Sequence, residues 1–138
     1  MPTLVPIDDS ESALESVRYA TERFGDQDIT LVTISSMSVG SYTEGSGYAC
    51  DQILERQNET MEMIFANAVE LISSSDCNVE TKVVTGRPVR EIIALAESTD
   101  TDHIVVSENF KSGLLEILFR SIAEQLVRQA PVPVTVVH

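Results

Sequence analysis

Lysine is almost missing from this 138-residue chain: Lys82 and Lys111 are its only two, and nine Lys and Arg face 22 Asp and Glu, a formal net charge of -13. A surface so poor in cations repels the phosphates of nucleic acid and of anionic lipid, which excludes both as partners. Long apolar runs are missing too. None approaches the ~20 residues that span a bilayer, and the N-terminal MPTLVPIDD has neither the basic segment nor the apolar core of a signal peptide, so a cytoplasmic location is expected. The two cysteines, Cys50 and Cys77, stand in no CxxC or Cys/His spacing. No metal site and no disulfide framework is therefore expected, and both read as free thiols. The chain also lacks a P-loop and the GxGxxG, GxSxG and HExxH signatures, and His103 and His138 have no evident catalytic partner, so no enzyme is predicted.

The acids are spread along the chain rather than gathered in a tail, which reads as a solvated acidic surface of the kind halophiles use in strong salt. An ordinary acidic cytosolic protein is the alternative reading.

Strand-length apolar runs alternate with helix-like segments, and 43% of the residues are hydrophobic, enough for one core. Residues 3–7, TLVPI, open as a strand. Ser12 and Glu15 have capping-box spacing, Ala13, Val17, Ala20 and Phe24 mark one helical face, and Gly25 supplies the stop. Residues 28–35 read as the second strand and the Ser/Gly-rich 35–49 as a long loop. A helix is predicted over 51–73, with Leu54, Met61, Phe65, Ala68 and Ile72 on one face and Met61 and Met63 as core filler. A strand at 79–85, a helix within 86–98 with Pro88 in its first turn, and a buried strand at 103–107 starting with His103 follow. A helix at 121–130 ended by Pro131 and a terminal strand at 132–138 complete the chain.

Five strands and four main helices joined by right-handed crossovers predict one domain over 1–138, a Rossmann-like three-layer α/β/α sandwich with a mainly parallel sheet. Ligands of such sheets bind outside the carboxyl ends of the strands, where strand order reverses. Asp8 and the 107–113 loop lie at two such ends.

Asp8 and Asp9, closing the first strand, suit either a Mg²⁺ cradle for a phosphorelay or the wall of another ligand's pocket. A phosphorelay needs a third acid at the end of a central strand. The candidate strands end KVVTGRP and TISSMS, with no acid, so that chemistry is excluded.

Three blocks carry a resemblance. LVPIDDSESALESVRYA is similar to an opening of strand, Pro-Val-Asp-Gly-Ser and helix. VVTGRPVREIIALAESTDTDHIVVS resembles a Gly-x-Pro turn leading to a helix, an acidic turn and an apolar strand. KSGLLEILFRSIAEQLVRQAPVPVTVV resembles Arg-Ser-Gly-Leu, a leucine-rich turn, Gly-Ser, Val-Ala-Glu and Ala-Pro-x-Pro-Val before a last strand. In this order they resemble the universal stress protein family over essentially the whole chain, which implies an adenine nucleotide alpha hydrolase-like version of the sandwich.

Members of that family that bind ATP carry Gly, two residues, Gly, nine residues, Gly and a hydroxyl residue. Glycines let backbone N–H groups approach phosphates, and the last pair sits at a helix N-terminus. Those positions fall here on Ser107, Phe110, Arg120 and Ser121, so all three glycines are missing, and Gly113 falls inside the spacer. The resemblance also places Pro6, Ile7, Asp8, Ile34, Val106 and Ile122 at the nucleotide pocket, with Asp9 in place of a glycine. Asp9 and Ser10 also read as simple helix starters.

A left-handed backbone at Phe110 would cost about 1–2 kcal/mol, and its ring would occupy phosphate space; as apolar residues, Phe110 and Phe119 also read as either core or partner contacts. Glu108 would oppose a phosphate ~4 Å away by about 4 kcal/mol at an effective dielectric of ~20, and Lys111 and Arg120 pointing inward would return as much. Sterics decide against tight ATP binding, since each ~1.4 kcal/mol lost is tenfold in affinity.

Three functions follow. The first is a non-catalytic stress-response or signalling module, a homodimer through residues 132–138 as the resemblance implies, with further protein partners. The second is an ATP binder or slow hydrolase using Ser107, Ser112, Ser121, Lys111 and Arg120 in place of glycines. The third is a pocket for another small molecule with the 35–49 loop, bearing Tyr42 and Tyr48, as a lid; disorder there is the competing reading.

Overall fold

The structure is a computed structural model, and it describes residues 2–8, 11–24, 28–35, 62–72, 78–110 and 121–138. Its elements run β1 (Thr3–Pro6), α1 (Glu11–Phe24), β2 (Ile29–Ser35), a helix α2 across 62–72, then β3 (Val79–Thr85), α3 (Pro88–Ser98), β4 (His103–Ser107), α4 (Ile122–Gln129) and β5 (Val134–Val137). Every strand pairing is parallel, in the order β3-β2-β1-β4-β5. Parallel neighbours need covered crossovers, which is why strands and helices alternate along the chain.

β1 lies at the centre: Thr3 faces Ile29 on one side and His103 on the other. The chain first builds outward to β3, then crosses back over β1 and builds the other way to β5. Alternation of side chains along the strands feeds two cores. Val5, Ile7, Ile29, Leu31 and Val105 pack with Ala13, Val17 and Ala20 of α1 and Ala68 and Ile72 of α2. Leu4, Val32, Ile34, Ile104 and Val106 pack with Ile92 and Ala96 of α3 and Ala123 and Leu126 of α4. The result is the three-layer sandwich expected from the sequence.

Several local expectations are corrected. Ser12 is no cap, because α1 starts at Glu11, and the Ser12 carbonyl accepts from Ser16 Oγ at 3.3 Å. Glu15 instead pairs with Arg18 at 2.6 Å. Met63 is not core filler but 66% exposed, since Ala68 and Ile72 turn the other side of α2 inward. The terminal strand is limited to Val134–Val137. Gly25, residues 36–61 including Met61, and both cysteines lie outside the described residues. Among the described residues no helix is long and apolar enough to cross a membrane.

Two helix entries frame the upper rim of the sheet. Gly86 turns at φ +128°, a backbone that L side chains rarely adopt, and delivers the chain to Arg87 and to Pro88 in the first turn of α3. Ser121 caps α4, its Oγ accepting from the Glu124 N–H at 3.0 Å.

Candidate functional site

Strand order reverses between β1 and β4, so their carboxyl ends border the crevice where this fold places ligands. From β1 come Pro6 and then Ile7 and Asp8. Pro6 is buried in register with Val32. Ile7 is buried in the α1 core, its N–H donating to Val32 O at 2.8 Å and its carbonyl accepting from Thr33 Oγ1 at 3.1 Å. Asp8 is half-buried where the strand ends. From the other side come Ile34 and Val106, both buried in the opposite core. Thus Ile7 and Val106 turn their side chains to opposite faces of the sheet, leaving backbone, Asp8 and Ser107 at the crevice itself.

The segment after β4 is closed on itself. Ser107, only 2% exposed, accepts through Oγ from the Asn109 N–H at 3.1 Å and through its carbonyl from the Phe110 N–H at 3.1 Å. The Glu108 N–H donates to Val137 O of β5 at 2.9 Å. Three successive backbone donors are used internally.

Of the readings open for Phe110, phosphate blocker, core residue or partner contact, the fold takes the core one. Among the described residues only Asp100 combines a side chain with positive φ, so Phe110 bears no left-handed strain. Its ring is 4% exposed and packs in the core with Ile92, Ala123 and Leu126 rather than in phosphate space. Glu108 is corrected as well. Its carboxylate accepts from Nδ1 of His138 at 2.7 Å, so His138 has a partner and Glu108 points along β5.

At the start of α4, Ser121 is exposed and Ile122 half-buried against the core. Arg120, Phe119, Lys111, Ser112, Asp9, Tyr42 and Tyr48 lie outside the described residues. Among the described residues no three His, Cys, Asp or Glu converge as metal ligands. The internal donors to Ser107 and the Glu108–His138 bond were not foreseen from the sequence. Only the β4–β5 register, which sets Ser107 against Val137, brings positions 108 and 138 together.

A doubly wound parallel sheet with a crevice at its switch point and a capped helix beside it defines the class of three-layer α/β/α domain. The sequence profile of the universal stress protein family matches residues 1–138, and the chain belongs to that family. It is 29% identical over 139 residues to universal stress protein MJ0531 of Methanocaldococcus jannaschii, covering 97% of this chain and 79% of that protein. Its fold is similar to that of the universal stress protein UspA from Lactobacillus plantarum, with TM-score 0.77, 19% identity and coverage of 100% of this chain and 97% of the other. A universal stress protein in complex with cAMP superposes with TM-score 0.75 at 20% identity, covering 100% of this chain and 96% of that one.

Proposed function

We propose that this universal stress protein is a non-catalytic stress-response module, a cytoplasmic homodimer through β5 that suits a salt-rich cell and does not bind ATP tightly. One observation carries the reading: the N–H groups of Glu108, Asn109 and Phe110 are all bonded within the chain. A phosphate chain needs such donors free and converging. Opening the loop would forfeit about 0.5–1.5 kcal/mol for each bond broken, which compounds to a large loss of affinity. Pro6, Ile7, Asp8, Ile34, Val106 and Ser107 remain in this reading as the walls of an inherited pocket.

A second reading is favoured by the position of Phe110. With its ring in the core and Glu108 held by His138, neither obstructs the crevice, and a similar protein has been crystallised with cAMP. A nucleotide with a single phosphate, held by Asp8 and by Ser121 and Ile122 at the start of α4, with Arg120 preceding Ser121 in the sequence, would need fewer loop donors than ATP.

Calorimetric titration with Mg²⁺-ATP, and separately with AMP and cAMP, in dilute salt and in molar KCl tests both. ATP is expected to give no micromolar binding in either salt. Micromolar ATP binding that Arg120→Glu abolishes would overturn the proposal and make the chain an ATP-regulated switch. Binding of AMP or cAMP alone would select the second reading.

A further inference from the structure

The terminal strand is one edge of the sheet; the other is β3, seven residues long and bonded among the described residues only to β2. In a parallel pair, each residue sends its N–H and C=O to the same side, alternating along the strand. The phase here is set by the Ile29 N–H, which donates to Asn78 O at 2.8 Å while Ile29 is in register with Val79. Residues 78, 80, 82 and 84 therefore turn their backbone groups to β2. Val79, Thr81, Val83 and Thr85 present theirs to the open side.

The open edge reads Val79-Glu80-Thr81-Lys82-Val83, and that order is its own electrostatic complement when reversed about Thr81. We infer that β3 is an interface between two copies of this chain, paired antiparallel about a two-fold axis at Thr81. In that register Thr81 faces Thr81 of the second copy and Val79 faces Val83, each pair exchanging two N–H···O=C bonds between outward-turned groups. Glu80 and Lys82 of one copy then stand directly opposite Lys82 and Glu80 of the other, at the closely spaced positions between hydrogen-bonded pairs.

Neighbouring registers are worse. Moving the axis by one residue sets Glu80 against Glu80 or Lys82 against Lys82. An axis midway between residues opposes outward groups to inward ones and loses the ladder. Neither Glu80 nor Lys82 has an ion-pair partner among the described residues. Lys82 is one of only two lysines in a chain of charge -13, and it stands two residues from an acid on the same face of an edge strand. Val83, 48% exposed, gains a covering apolar neighbour in the same step.

The interface lies on the opposite side of the sheet from β5 and does not depend on β5 pairing. With both edges engaged, each two-fold and self-complementary, assembly proceeds beyond a dimer. Sedimentation equilibrium over a protein concentration series, in KCl from about 0.1 M, where adjacent pairs still act, to about 1 M, where long-range repulsion between acidic copies is screened, tests it on the full chain. Glu80→Lys and Lys82→Glu are each expected to weaken the β3 contact roughly tenfold or more, because two attractive pairs become two repulsive ones. The double variant, Glu80→Lys with Lys82→Glu, restores the contact. Glu97→Lys on α3 controls for net charge, and circular dichroism verifies folding of each variant.

Wild-type species larger than a dimer that fall to dimers in the single variants and recover in the double variant support both edges. A wild-type dimer that becomes monomeric in the single variants supports β3 and removes the β5 dimer. A dimer indifferent to both single variants overturns the β3 interface and leaves β5. A wild-type monomer overturns both.

Discussion

Position 110 separates residue identity from residue fate. The resemblance sets Phe110 where ATP-binding relatives have glycine, and identity alone implies strain and a blocked phosphate site. In the fold the same side chain contributes to the core beneath the loop, and strain is absent. A core role was one of the readings open for Phe110, but which way a side chain turns in a loop depends on the helices packed behind it, so the choice among them was not legible. His103 was legible as structural, and its surroundings give that role a pH dependence. Nε2 lies 2.6 Å from Thr135 Oγ1 on β5, and the ring centroid lies 4.8 Å from that of Phe24, the two rings tilted by 37°. Burial lowers its pKa from the ordinary 6.5. Above that value the imidazole is neutral folded and unfolded, and its contribution is fully present. As pH falls through 6.5 toward the folded value, the unfolded chain takes up a proton that the folded chain resists, and stability is lost. Between about pH 7.5 and 5 the melting temperature of the wild type is expected to fall further than that of His103→Gln. Parallel curves for the two proteins would remove His103 as the source.

Elements were more legible than residues where local chemistry and burial agree. β3 at Val79–Thr85 and β4 at His103–Ser107 coincide with their sequence patterns, because β-branched runs ended by turn residues leave little choice of boundary. The start of α1 was misread: Ser12 and Glu15 match a capping box by spacing, yet the helix begins earlier, at Glu11. The entry to α3 shows a local rule with a single cause. Gly86 sits at φ +128°, and a Cβ there would lie 3.0 Å from Glu91 Oε1. The carboxylate is the far end of a flexible side chain and can swing away, whereas the backbone angle cannot change without moving Pro88. Gly86→Ala is therefore expected to cost about 1–3 kcal/mol of stability through conformation rather than contact. Thermal or urea unfolding of Gly86→Ala and of Gly86→Ala with Glu91→Ala decides this. Equal losses assign the cost to φ, while recovery in the double variant would assign it to the Glu91 contact.

At the scale of the molecule, the layered parallel sheet was legible from alternation and right-handed crossovers, and with it the strand ends that carry Asp8 and the 107–113 loop, whereas the strand order β3-β2-β1-β4-β5 was not. Nor was the closed loop after β4, because Glu108, Val137 and His138 meet only through β4–β5 pairing. Charge is the other property that belongs to the whole. With 22 acids against 9 bases, the folded chain confines an excess of like charge that the unfolded chain spreads out, so folding carries a self-repulsion. Salt acts on two opposed quantities. It weakens surface ion pairs, but Glu15–Arg18 and Glu124–Arg128 are roughly half-exposed, and such pairs contribute only about 0.2–1 kcal/mol each. It also screens the repulsion among all the acids, since the Debye length falls from ~10 Å at 0.1 M to ~3 Å at 1 M, shorter than most distances across the surface. The second effect is the larger, because it sums over the whole surface. The melting temperature is expected to rise from dilute buffer to molar KCl, and NaCl should do the same, since screening depends on ionic strength and not on the cation. A flat or falling curve would mean that local ion pairs outweigh the net charge. A rise in KCl alone would mean that specific potassium binding, rather than screening, stabilises the acidic surface.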